Sequence, residues 1–182
     1  MSITVETGAS VAGANSFVSV ASFQTHCDNR ARDYSSYSDE QIEAALIQMG
    51  DYLNSLSWKG MKTARANPMC WPRYGDSLAG WNEINQPASE WLGVVDGDGY
   101  IIGTAEVPDE VINAQNEGAW LILTGSNMEP SLDRGGELKR EKYDVIEFEY
   151  FSGASPTTEF KAVSNRLRGL LNSATTVELQ RS

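Results

Sequence analysis

Ser38 is followed three residues later by Gln41, and behind that pair come Ile42, Ala45, Leu46, Met49, Leu53 and Leu56. The Ser-x-x-Gln pair is a capping box, in which hydroxyl and side-chain amide satisfy orphan backbone groups at a first helical turn. The three-and-four spacing behind it gathers one apolar stripe along a helix. An amphipathic helix over about Asp39 to Leu56 is therefore predicted, and the rest of the chain has to cover that stripe.

Three more segments carry helical spacing. One opens near Ser19 with Val20, Phe23 and Cys27 and runs out in the polar stretch Asp33 to Tyr37. Another covers Glu106 to Thr124 through Val107, Val111, Ala114, Trp120, Leu121 and Leu123, with Pro108 in its first turn and Gly125 ending it. The last covers Thr157 to Leu171, with Phe160, Val163, Leu167, Leu170 and Leu171 on one side. Between these, Glu137 to Phe151 alternates in places, Val145, Glu147 and Glu149 against Ile146, Phe148 and Tyr150, which suggests two short strands or a hairpin. The fold class that follows is mainly α: a small bundle of about four helices with a short β-hairpin appendage, a long irregular aromatic loop and extended termini. The organisation expected is an arm over residues 1–18, a helical domain over 19–171 and a polar tail over 172–182.

From Trp58 to Gly103 periodicity gives way to Gly, Pro, Asn and aromatic residues, a stretch longer than most loops of compact domains. Trp58, Trp71, Pro72 and Arg73 are the candidate anchors, pinning this loop to the helices or meeting a neighbouring subunit. At 182 residues the chain buries roughly 70% of its unfolded surface, so it needs no covalent staples. Its two cysteines, Cys27 and Cys70, make neither a disulfide framework nor a zinc motif. The first fifteen residues lack a basic and apolar leader pattern, and no apolar run approaches the ~20 residues that span a bilayer, so a soluble, unexported protein without membrane contact is expected.

Charge is unevenly placed. Against 14 Lys and Arg stand 25 Asp and Glu, for a net charge of -11. Between Arg73 and Arg134 there is no basic residue, while Asp76, Glu83, Glu90, Asp96, Asp98, Glu106, Asp109, Glu110, Glu117, Glu129 and Asp133 supply eleven acids. Such a run reads either as a solvated face or as a surface that repels a polyanion.

Catalytic chemistry finds little support. His26 is the only histidine, and its neighbour Cys27 points about 100° away on a helix, a poor geometry for a base and its nucleophile. Asp96-Gly97-Asp98-Gly99-Tyr100 resembles half a calcium loop, but that spacing would put Val94 and Ala105 at ligand positions, and a tight Asp-Gly turn fits better. No glycine-rich phosphate loop is present. No cofactor, no metal and no enzymatic step are expected. The aromatic residues could stack on single-stranded DNA, yet such proteins pair them with a basic groove, and Trp81, Trp91 and Tyr100 sit in the segment without a basic residue.

The order of several short motifs carries a family resemblance. Ala14-Asn15-Ser16-Phe17-Val18-Ser19-Val20, then Ala44-Ala45-Leu46-Ile47, Trp58-Lys59-Gly60, Cys70-Trp71-Pro72-Arg73, Val107-Pro108-Asp109-Glu110-Val111, and Leu138 to Lys142 running into Val145 to Tyr150 resemble the head–tail connector (adaptor) family of tailed bacteriophages. The resemblance covers about Ala14 to Leu171, with an insert between Gly75 and Tyr100 longer than the family pattern. Some members of that family are labelled DnaT-like single-stranded-DNA-binding proteins, which supplies the alternative of a role in replication restart.

The resemblance implies a homo-oligomeric ring, typically twelve-fold, beneath the portal protein at the capsid vertex of the virion, assembled in the bacterial cytoplasm. A stopper or tail-completion protein would lie below, and genomic DNA would pass through without specific binding. On that reading a subset of Asp76, Glu83, Glu90, Asp96 and Asp98 would face the channel, because an acidic lining does not hold phosphates. Val177 and Leu179, spaced by two in the tail, would enter a groove on the portal as one face of an extended segment.

Overall fold

A computed structural model describes residues 2–75, 93–128 and 160–172, and the backbone of two short strands at 140–143 and 146–149. In chain order the elements are α1 (Val20–Asp28), α2 (Asp39–Ser55), β1 (Met61–Lys62), β2 (Arg73–Tyr74), α3 (Asp109–Leu123), β3 (Arg140–Tyr143), β4 (Ile146–Glu149) and α4 (Lys161–Leu167). The described residues are thus mainly helical, with four helices. β3 and β4 form an antiparallel hairpin that pairs Arg140 with Glu149 and Tyr143 with Ile146.

The capping box is present. Ser38 Oγ accepts from Gln41 N, and Gln41 Oε1 accepts from Ser38 N at 2.9 Å. α2 buries Ile42, Ala45, Leu46, Met49 and Leu53 along one side, against α3. α3 is the central element: every residue from Ala114 to Ala119 is buried, so it is covered on all sides rather than along one stripe. Gly118 allows this closeness, since a Cβ there would meet Met49 Sδ at 2.0 Å.

α3 starts later than its apolar spacing suggests, because Pro108 is the N-cap and Asp109 the first helical residue. It ends in a Schellman motif, with Gly125 at φ 98°, Gly125 N–H donating to Ile122 O and Ser126 N–H to Leu121 O. α4 is shorter than its apolar spacing suggests. After Leu167 the chain opens into a return, where Leu170 O accepts from Lys59 N, Asn172 N donates to Ser57 O, and Trp58 bridges Leu171.

The segment expected to be an extended arm doubles back and enters the core. Val5 bridges Ser16, and Ala14, Phe17 and Val18 are buried. Its pivot is Glu6, 2% exposed, whose carboxylate accepts from the backbone N–H groups of Gly8, Ser10 and Val11 at 2.8, 3.0 and 2.8 Å. Charge-assisted hydrogen bonds of this kind hold a turn without any apolar periodicity. Gln115 of α3 locks the segment in place, its side chain accepting from Phe17 N and donating to Ser16 Oγ and Leu46 O.

The described parts of the long loop, residues 58–75 and 93–103, are more ordered than their composition suggests. β1 and β2 pair antiparallel, Met61 with Tyr74 and Lys62 with Arg73, and Tyr74 bridges Gly93. Residues 93–102 fold into a tight hairpin joined by Val95 and Ile101, in which Ile102 N donates to Val94 O and Asp96 N to Tyr100 O.

Candidate functional site

Trp58, Trp71, Pro72 and Arg73 come together as one buried unit. The two indoles meet edge to face with centroids 6.0 Å apart, and the Trp71–Pro72 peptide is cis. Trp58 Nε1 donates to Leu53 O at 2.7 Å, a carbonyl at the C-terminal end of α2 that also accepts from Leu56 N at 3.3 Å. Arg73 is buried with its guanidinium turned onto the carbonyls of Lys59, Gly60 and Cys70. Lys59 Nζ in turn donates to Gly169 O at 2.6 Å, tying the loop to the end of α4. Through these contacts the unit packs against the end of α2 and the return after α4. Beside them Cys70 is buried, and burial pushes its thiol up to about 12.

A second cluster is formed by residues that reading the sequence left scattered. Glu117, 5% exposed at the middle of α3, has Arg32 Nη2 at 2.7 Å, Arg166 Nη2 at 3.0 Å, His26 Nε2 at 3.2 Å and Arg30 Nε at 3.3 Å. Three elements deliver these groups. α1 supplies His26, α4 supplies Arg166, and the turn after α1 supplies both other arginines. In that turn Ala31 takes φ 52° and Arg32 N donates to Cys27 O, which swings Arg30 and Arg32 back towards α3. Arg32 also lies 5.3 Å from the centre of the Trp120 ring, and Tyr37 meets that ring edge to face at 6.5 Å.

Burial disfavours the ionised form of Glu117, but the Arg32 hydrogen bond and the charges of Arg32 and Arg166 outweigh it and hold the carboxyl below its ordinary range. Burial pulls His26 the other way from an ordinary salt-bridge partner, lowering its pKa in spite of the Glu117 hydrogen bond. The two directions agree on one state near neutrality: a neutral imidazole whose Nε2–H donates to a carboxylate. His26 is therefore a buried partner of Glu117 and not a surface residue. The sequence held one signal for this cluster. Glu117 falls three residues after Ala114, on the side of α3 that carries Val111 and Ala114, and an acid placed there requires cations.

Of the acids considered for a channel face, Asp96 and Asp98 are described. Asp96 is half-buried and its Oδ1 accepts from Asp98 N and Tyr100 N at 2.9 and 2.8 Å, so the Asp-Gly turn is built from it. Asp98 is exposed at the tip. Asp76, Glu83 and Glu90 lie outside the described residues, as do Val177 and Leu179. Among the described residues no group of three or more His, Cys, Asp or Glu could hold a metal ion, and no helix is long and apolar enough to cross a membrane.

No curated protein and no solved structure matches the chain. One family model does, over residues 1–88 and 91–182, and its description is "Putative DnaT-like ssDNA binding protein". With both segments matched, the chain belongs to the DnaT-like family that this model describes.

Proposed function

We propose that this protein is a structural head–tail connector of a tailed bacteriophage, a ring beneath the portal that joins capsid to tail and continues the DNA channel. The family description fits both this reading and a single-stranded-DNA-binding protein. The observation that favours the connector is the use made of the basic side chains. Six of the nine described Lys and Arg side chains are engaged within the chain, Arg30, Arg32 and Arg166 with Glu117, Arg73 with three carbonyls, and Lys59 and Lys62 with Gly169 O and Asn67 O, while Arg65, Lys161 and Arg168 are exposed. A protein that tracks a single strand needs a run of cations open to phosphates beside stacking aromatics. The most exposed aromatic side chain among the described residues, Tyr100, instead stands beside Asp98 in the segment without a basic residue.

In this role the protein acts mechanically, with no catalytic step and no cofactor. It is placed at the capsid–tail junction, with the portal on one side and a stopper or tail-completion protein on the other. The acids at 76, 83 and 90 line or flank the channel so that DNA slides without adhering. The tail, through Val177 and Leu179, grips the portal.

The single-strand reading has one observation of its own, the cationic aromatic face of Arg30, Arg32, Arg166, Trp120 and Tyr37. Fluorescence anisotropy with a labelled oligo-dT at about 0.1 M salt, where screening acts within ~10 Å, separates the two. The connector gives no submicromolar binding; tight binding that weakens steeply with added salt overturns it.

A further inference from the structure

The described surface has few large apolar side chains in water. They are Met61, Val95, Tyr100 and Ile101, and the last three belong to one hairpin, with Tyr100 74% and Ile101 57% exposed. Isolated exposed apolar residues are ordinary, whereas three on a seven-residue projection beside an exposed acid mark a contact surface. The hairpin is stiff. Its ends are joined through Val95 and Ile101, its turn is held by Asp96 Oδ1, and its backbone at Gly97 lies against Gly169. A stiff projection loses little entropy on docking.

A complementary surface exists on the same chain. Three guanidiniums face the one Glu117 carboxylate with His26 neutral, so two positive charges are left over. Asp28 and Asp33, the acids nearest in sequence, are exposed, and the ion pairs of Arg30, Arg32 and Arg166 among the described residues all go to Glu117. Arg30 and Arg166 keep about a third of their side chains in water, at 36% and 33%. Beneath them Trp120 and Tyr37 are half-buried and offer an aromatic floor. An acidic tip with Tyr and Ile beside it matches a cationic rim over aromatic rings in both charge and polarity.

We propose that the tip at Val95–Ile101 of one copy docks on the Arg30–Arg32–Arg166 face, over Trp120 and Tyr37, of a second copy. Tyr100 and Ile101 cover the Tyr37 edge, and Asp98 meets the spare guanidinium charge. Such a contact joins two different patches, so repetition around an axis closes a ring. This deepens the connector reading and rests on it, but it requires no portal and is tested on the free protein.

The test uses cysteine pairs, since the native Cys27 and Cys70 are both buried. Tyr100→Cys and Tyr37→Cys variants are treated with a short bismaleimide, each alone and then mixed. The mixture cross-links; either variant alone does so at no more than about a tenth of that yield. Asp98→Arg lowers the mixed yield about tenfold, and Asp98→Arg paired with Arg30→Asp on the other copy restores it. Absence of a cross-link in the mixture, or equal yield from one variant alone, overturns the proposal. Loss of the mixed cross-link on adding submicromolar oligo-dT also overturns it, by assigning the cationic face to nucleic acid. A chain carrying both cysteines separates this proposal from the ring: a ladder of products supports both, while a closed dimer keeps the docking and counts against the ring.

Discussion

Gly97 and Gly169 touch backbone to backbone: a Cβ on Gly169 would come within 2.6 Å of Gly97 N, and a Cβ on Gly97 within 3.2 Å of Gly169 Cα. One belongs to the Asp-Gly turn of the long loop, the other to the end of α4. Because both lack a side chain, the projecting hairpin can sit on the helical body, where Lys59 also bonds Gly169 O. The small size of the side chain matters here, since the atoms it would strike are main chain and cannot rotate away.

Gly169→Ala is accordingly expected to lower stability by about 1–3 kcal/mol, as overpacking does. It should also loosen the hairpin. Thermal melts give the first quantity, and faster amide exchange at Tyr100 and Ile102, whose N–H groups bond Asp96 Oδ1 and Val94 O, gives the second.

Gln115 is the polar residue on which the N-terminal segment depends. Fully buried, it serves Phe17 N, Ser16 Oγ and Leu46 O. Gln115→Ala leaves Phe17 N buried without its partner, while Ser16 Oγ keeps its bonds to Val18 and Leu46 O its place in the α2 ladder, so a loss of about 1–3 kcal/mol is expected. Urea denaturation measures it. A melting midpoint unchanged from the parent would mean that the segment 2–18 does not need this lock.

The Glu117 cluster makes stability depend on pH in a defined direction. Glu117 has a depressed folded pKa, so its contribution is present above the unfolded value near 4.5 and is lost as pH falls through the folded value. His26 is also depressed, so the unfolded chain takes up its proton first, and stability begins to fall as pH drops below about 6.5. Denaturation at pH 7.5, 6 and 5 should show this decline. His26→Gln should flatten the step between pH 6.5 and 5 while leaving the acid limb due to Glu117. Glu117→Gln, which strands three guanidiniums, should destabilise at neutral pH and remove most of that limb.

Trp71 is fully buried and Trp58 is 5% exposed, and each indole forms one side of the same edge-to-face pair. Trp71→Ala is expected to cost about 3–5 kcal/mol. Trp58→Phe, which keeps an aromatic body but drops the bond to Leu53 O, should cost about 1 kcal/mol. Intrinsic fluorescence and melts of the two variants distinguish an anchor that acts by packing from one that acts by hydrogen bonding.

The parts of this fold that could be read from the chain are those made by neighbours. Ser38 and Gln41 are three residues apart, and the apolar stripe of α2 repeats within one helix, so both cap and buried face follow from spacing. The parts that could not be read are made across distance. Glu117 meets Arg32 from 85 positions away and Arg166 from 49, and Gln115 reaches Phe17 across 98. Glu6 holds a turn by collecting backbone N–H groups, and nothing in the side-chain pattern of residues 2–18 announces that. The anchors Trp58, Trp71 and Arg73 stood out by type, but the carbonyls that Arg73 bonds are main-chain atoms, which carry no signature in the sequence.

Co-expression with the portal protein of the same phage genome tests the proposed connector role. Size exclusion followed by negative-stain imaging of the portal fraction is the measurement. A connector co-elutes with the portal in equal copy number and appears as an added ring on one face of it. A portal that elutes bare, with this protein wholly in the late fractions at the same salt, would contradict that role.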